Sequence, residues 1–287
     1  MTRPPSGWPK TGPRAEAAGL AKFFLAAFGI PWLLFPLMYY LGILPGALLM
    51  MFAPSIGAIW AGHQERPDIS LSAFKTALYA LVWLAIAVAV TAPFQEPGYR
   101  LGEALAYIYG LTGMPESVAV EMARAGELEN LISLLLAPAA VLFNAFVAFG
   151  EEYGWRGYLT PLLARRMGWV KASIVTGVIW GLWHAPVILL GLNYIEKFWI
   201  PGVFLFLLIT TPASVVFTYA YLKHGVWGSS ALHGALNAFA GIYFFFYLPK
   251  PVWLYNPAGI MGALAWIPLA VYAAMEMERR LGQRRHP

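Results

Sequence analysis

Residues 131–152 read LISLLLAPAAVLFNAFVAFGEE, an uncharged run closed by two adjacent glutamates, Glu151 and Glu152. A helix needs roughly 20 apolar residues to cross the hydrocarbon of a bilayer, and this run has that length. A carboxylate beside such a run costs several kcal/mol unless it is partnered or lines a wet cavity, so it marks a functional site by default.

Comparable runs recur on both sides of this one. Bounded by Pro, Gly and charge, they predict eight spans at about 21–43, 46–62, 74–93, 131–152, 172–192, 200–222, 229–248 and 257–276. With 60% hydrophobic residues, 11% charged residues and a mean hydropathy of +0.62, a soluble globular domain is excluded. No alternation of polar and apolar residues marks a membrane β-barrel. The expected fold is therefore all-α, a polytopic transmembrane helical bundle of about eight spans.

Three regions follow from this division. Residues 1–20, with Pro4, Pro5, Pro9 and Pro13, read as a disordered cytosolic tail. Residues 21–278 form a single membrane-embedded domain whose motif-bearing core is about 131–248, and 279–287 form a basic cytosolic tail. The late start and length of the first apolar run argue against a cleaved signal peptide. Cysteine is absent, which excludes disulfides, thiolate metal sites and a catalytic thiol.

An even number of spans puts both termini on one side, and the basic residues identify it. In this topology 15 of the 19 basic residues share the side of the termini, leaving Arg100, Arg124, Lys197 and Lys250 opposite. Both termini are expected in the cytosol, so the net charge of +5 reads as an orientation signal and nucleic acid is not an expected partner. The longest loop, 94–130, would lie outside, with short interfacial helices at 103–111 and 116–128.

Ionisable residues at membrane depth form three clusters. In the first, Glu152 and Arg156 are four apart, in the favourable order for an ion pair, while Glu151 points about 100° away. These residues either divide structural from chemical work or mark the water-facing end of the fourth span. The second is His184 in the fifth span, followed by Pro186, which cannot donate to the Leu182 carbonyl and so opens the helix beside the imidazole. The third is His233 and Asn237, one turn apart on the seventh span, with Gly234 allowing close helix approach. Two donors aimed at one point suit an oxyanion, and glue between helices is the plainer alternative for His184, His233 and Asn237. His184 lies about 18 Å into its span and His233 only a turn or so, a mismatch that a kink, tilt or shifted boundary must close. His63, His224 and His286 are expected at water or headgroups.

On these residues the chain resembles the CAAX prenyl endopeptidase and bacteriocin-processing family of intramembrane proteases (CPBP, also called Abi). The family pattern is Glu-Glu-x-x-x-Arg, then Phe-x-x-x-His, then His-x-x-x-Asn or Asp. The chain supplies Glu151, Glu152 and Arg156, then His184, then His233 and Asn237, with Trp180 at the position of the phenylalanine. The resemblance implies an intramembrane endopeptidase of the CAAX prenyl protease type, a hydrolase acting near the cytosolic face on a peptide or prenylated protein amid membrane lipids. Glu151 and His184 would activate water, and His233 and Asn237 would stabilise the oxyanion. Glu152, Arg156 and Trp180 would support them, Trp180 by packing and Arg156 by pairing with Glu152. No cofactor is favoured.

Two other readings stand beside this one. In a zinc-dependent protease, Glu151, His184, His233 and Asn237 would be the ligands, although no His-Glu-x-x-His is present. A non-catalytic scaffold or a transporter would use the same clusters to bind a substrate or proton. The expected location is the cell membrane of a prokaryote, or the endoplasmic reticulum of a eukaryote.

Overall fold

The first helix, α1, spans Pro13–Tyr40 and starts inside the stretch expected to be a disordered tail. Pro13 has no N–H to leave unpaired at a helix start, and Glu16 complements the positive end of the helix dipole. Glu16 also pairs with Arg166 at 2.5 Å and Arg165 at 3.6 Å, which ties the start of α1 to the rest of the molecule. The computed structural model describes residues 13–41, 49–95, 135–191, 193–194, 199–243, 247 and 250–282, and among these the chain is helical with no strand. The expected loop helices at 103–111 and 116–128, residues 1–12 and the C-terminal 283–287 lie outside the described residues.

The second expected span is a short helix, α2, at Ala53–Trp60, led by Pro54 and closed at Gly62, whose φ of 91° favours glycine. At about 1.5 Å per residue, α2 is too short to cross a bilayer by itself. A 3₁₀ turn at Leu71–Thr76, capped by the Ser70 hydroxyl, leads into α3, Ala77–Thr91.

Helix α4 runs from Leu135 to Met167, well past the expected end at 152. Its centre, Tyr153–Leu159, winds as a π-helix. The wide turn is fixed by Thr160, whose backbone N–H and hydroxyl both donate to the Trp155 carbonyl five residues back, the hydroxyl at 2.8 Å. Glu151, Glu152 and Arg156 therefore sit inside a helix rather than at its water-facing end. Arg156 is fully buried and drops out of the basic residues that argue for orientation.

Helix α5, Trp169–Trp183, follows Gly168 and ends at His184, where Pro186 interrupts the bonding ladder; a short α6, Ala185–Leu189, continues beyond it. The range Ile200–Ile242 is continuous except at His224 and Gly225, whose φ of 66° is left-handed. The chain reverses there. Phe217 and His233 would stand about 24 Å apart along a straight helix, yet their rings are 5.4 Å apart. This tight turn divides α7 (200–223) from α8 (226–242), as the sixth and seventh expected spans require. Short α9, Val252–Tyr255, precedes α10, Ile260–Gly282.

The distribution of polarity is that of a membrane protein. Leu33, Leu135, Phe143, Phe204 and Met275 are exposed, while Glu151, Glu152, Arg156 and His233 are buried. Several buried hydroxyls and indoles pair across helices, as a lipid surround favours. Trp183 Nε1 donates to the Ala27 carbonyl at 2.7 Å, Trp83 Nε1 to Gly262 at 3.0 Å, and Thr76 Oγ1 to Gly228 at 2.7 Å. His63, expected at water, is buried beside Tyr153, 3.4 Å from Glu65.

Glycines set the helix separations that assemble the polar centre. A Cβ at Gly177 on α5 would stand 2.7 Å from Thr211 Cα on α7, and one at Gly181 would overlap Thr210 Oγ1. A Cβ at Gly234 on α8 would stand 2.7 Å from the Val141 carbonyl oxygen of α4, the close approach the sequence predicts. Small residues let backbones touch where hydrophobicity alone gives lipid-embedded helices no reason to associate.

Candidate active site

Three helices converge on one indole. Trp180, on the last turn of α5 and 4% exposed, donates from Nε1 to Glu151 Oε2 of α4 at 2.6 Å. Its ring meets that of His184 at 5.7 Å and that of His233 on α8 at 5.4 Å, both edge-on. The Arg156 guanidinium carbon lies 4.6 Å from the Trp180 ring centre and 4.8 Å from that of Phe217, so the cation is held between two aromatic faces.

Beside this hub, Glu152 Oε1 accepts two hydrogen bonds of 2.9 Å, from Arg156 Nη1 and from His233 Nδ1. The Glu152 and Arg156 side chains have no exposure at all. The ion pair read from their spacing is present, and it also anchors a histidine of another helix, which the sequence did not reveal.

The backbone break at His184 sets that imidazole. Its own N–H turns to the Gly181 carbonyl at 3.1 Å, and the ring Nδ1 lies 2.9 Å from the Trp180 carbonyl. A carbonyl only accepts, so Nδ1 carries the proton and Nε2 of the neutral ring keeps its lone pair. His184 can therefore accept a proton at Nε2. The same logic at His233 puts a proton on Nδ1, facing the Glu152 carboxylate. His233 can donate from Nε2 only as the imidazolium.

A charge count constrains the cluster. Two carboxylates and one guanidinium carry one net negative charge, which a single further proton among the carboxylates and imidazoles would neutralise. The arrangement offers a proton acceptor, Glu151, beside a conditional donor, His233, around a shared wall.

Helices α5 and α8 both begin three residues before their expected starts, at 169 and 226, so the shifted boundaries leave the difference in helical rise between His184 and His233 unchanged. The two imidazoles nevertheless reach the same tryptophan ring. Asn237, one turn further on, is exposed, whereas His233 is 5% exposed, and Asn237 makes no hydrogen bond to a described residue. The structure thus gathers Glu151, Glu152, Arg156, Trp180, His184 and His233, with Asn237 beside them on α8. Phe206, 4.8 Å from the His184 ring, and Phe217 complete the aromatic wall; as apolar residues in apolar spans they gave no sequence signal.

Among the described residues, no group of three His, Asp or Glu side chains is arranged to hold a metal ion. Glu151 Oε2 and Nδ1 of both histidines already have protein partners.

Fold and site define a polytopic helical membrane protein with a carboxylate–histidine centre enclosed between its helices. Residues 133–239, which include every site residue named above, match the family described as type II CAAX prenyl endopeptidase, Rce1-like. A 77-residue stretch is 35% identical to a protein of Methanococcus maripaludis described as CAAX prenyl protease 2; it covers 26% of this chain and 28% of that relative.

Proposed function

We propose that this chain is an intramembrane endopeptidase of the CAAX prenyl protease type, in which Glu151 and His184 activate the attacking water. The observation that carries this reading is the convergence of Glu151, His184 and His233 on the single ring of Trp180, inside the segment that matches an endopeptidase family. Water loses a proton to Glu151 or to Nε2 of His184 as its oxygen bonds to the scissile carbonyl carbon. The carbonyl oxygen becomes an oxyanion, stabilised by the His233 imidazolium and by the side-chain amide of Asn237. When the tetrahedral intermediate collapses, the C–N bond breaks and the abstracted proton passes to the leaving amine.

The site opens toward the cytosolic face, with both termini on that side, so a substrate whose lipid-bearing C-terminus lies in the inner leaflet can reach it. Glu152 and Arg156 hold His233 and take no proton. Water activation is metal-independent, and cleavage persists in the presence of a chelator; loss with chelator and return with zinc would favour the zinc-dependent form. The substrate class is tested by presenting purified protein with matched prenylated and unprenylated peptide libraries and identifying products by mass spectrometry. Selective cleavage of the prenylated set is expected, and cleavage of neither set, with proton-coupled uptake in vesicles instead, would favour transport.

A further inference from the structure

Trp180 occupies the position where the family pattern has phenylalanine, and that resemblance implies only a packing role for it. In the structure it does two things that a core aromatic need not do. Its main-chain carbonyl accepts from Nδ1 of His184 at 2.9 Å, and its indole N–H donates to Glu151 Oε2 at 2.6 Å. Any residue at 180 could supply the carbonyl. Among aromatic residues that fill this volume, phenylalanine supplies no donor at all.

The surroundings hold the indole in one orientation. The Arg156 guanidinium covers one of its faces at 4.6 Å, Phe217 packs at 5.5 Å, and the rings of His184 and His233 meet it in T-shaped contacts at 5.7 and 5.4 Å. Gly181, the next residue, draws α5 onto α7. With Oε2 of Glu151 engaged, the other carboxylate oxygen makes no hydrogen bond to a described residue. A carboxylate held through one oxygen has its plane and its free lone pairs fixed, and such restraint lowers the entropy lost in reaching a reactive geometry.

We propose that Trp180 is a positioning residue which, through its indole N–H, fixes the Glu151 carboxylate so that Oε1 faces the water to be activated. One residue then orients both proton acceptors: His184 through its carbonyl and Glu151 through its side chain. This inference rests on the protease reading for its consequence, but the bond itself can be tested without activity.

Two measurements test it, both on the full chain in lipid nanodiscs. With 15N-labelled tryptophan, the Trp180 indole resonance is identified by its loss in Trp180→Phe. It should lie at low field and move upfield in Glu151→Ala; a resonance indifferent to Glu151→Ala overturns the proposal. Replacement of Trp180 by β-(3-benzothienyl)alanine keeps the ring shape and exchanges the N–H for sulfur. Loss of a hydrogen bond to a charged group predicts a kcat about tenfold lower, with KM within about twofold. Wild-type kcat in this variant overturns the proposal even if Trp180→Phe is impaired by its cavity. Full cleavage by Glu151→Ala would instead strike the protease mechanism and leave the resonance shift standing.

Discussion

Glu152 and His233, 81 residues apart in the chain, meet through a 2.9 Å hydrogen bond inside the bundle, on the same carboxylate oxygen that pairs with Arg156. This one oxygen joins the π-helical turn of α4 to α8. It is the contact by which the third cluster of the sequence is brought to the first.

Removing the Glu152 charge should therefore cost more stability than a surface change. In Glu152→Gln, Arg156 stays enclosed between Trp180 and Phe217, with Nε and Nη2 making no hydrogen bond to a described residue. Breaking a buried pair from one side costs about 3–5 kcal/mol. The expected outcome is a markedly lower thermal midpoint, much of it restored when Arg156→Met is added, since the guanidinium that was left without its carboxylate is then gone. Equal midpoints for the single variant and the wild type would remove the pair from the account.

The α5–α7 seam gives a second test. Gly177→Ala sets a methyl group 2.7 Å from Thr211 Cα, a backbone atom that cannot move aside. Overpacking of this kind costs about 1–3 kcal/mol. Thermal unfolding should show that loss, and cleavage should fall with it because the seam carries Trp180 and His184. Gly241, where a Cβ meets nothing, is the matched control and should tolerate alanine.

Asn237 and His233 should separate cleanly. Asn237 is exposed and His233 is buried on Glu152. Asn237→Ala is expected to lower kcat by about a hundredfold, the scale of one lost oxyanion donor, with no change in thermal midpoint. His233→Ala should lower both. An Asn237→Ala enzyme with normal kcat would take Asn237 out of the oxyanion site.

Much of the fold was legible because lipid imposes a simple rule: apolar runs of bilayer length become helices. The division at His224–Gly225 could be read from the chain for this reason. The length of α4 could not. Its continuation past Glu152 passes through charged residues that sequence reasoning assigns to a loop, and only the tertiary pairing of Arg156 with Glu152 and two aromatic rings makes them helix interior. Site residues announced themselves by polarity in an apolar chain. The links between them did not, since the Glu152–His233 bond and the donor role of Trp180 depend on helix rotation, which the glycine seams and the π-turn set.

Orientation is tested on the cysteine-free chain by single cysteines at Ser6→Cys and Ser117→Cys, each exposed to a membrane-impermeant thiol reagent on intact cells. Labelling at 117 and none at 6 is expected. The reverse pattern would turn the site toward the outer face and remove an inner-leaflet substrate from consideration.

The most direct test of the central claim is single-turnover cleavage of a prenylated C-terminal peptide by purified wild type, Glu151→Gln and His184→Ala, each verified as folded by its thermal midpoint. The account predicts cleavage by the wild type and a loss of at least about a hundredfold in each variant, the scale of a removed general base. Cleavage at the wild-type rate by folded Glu151→Gln would contradict it.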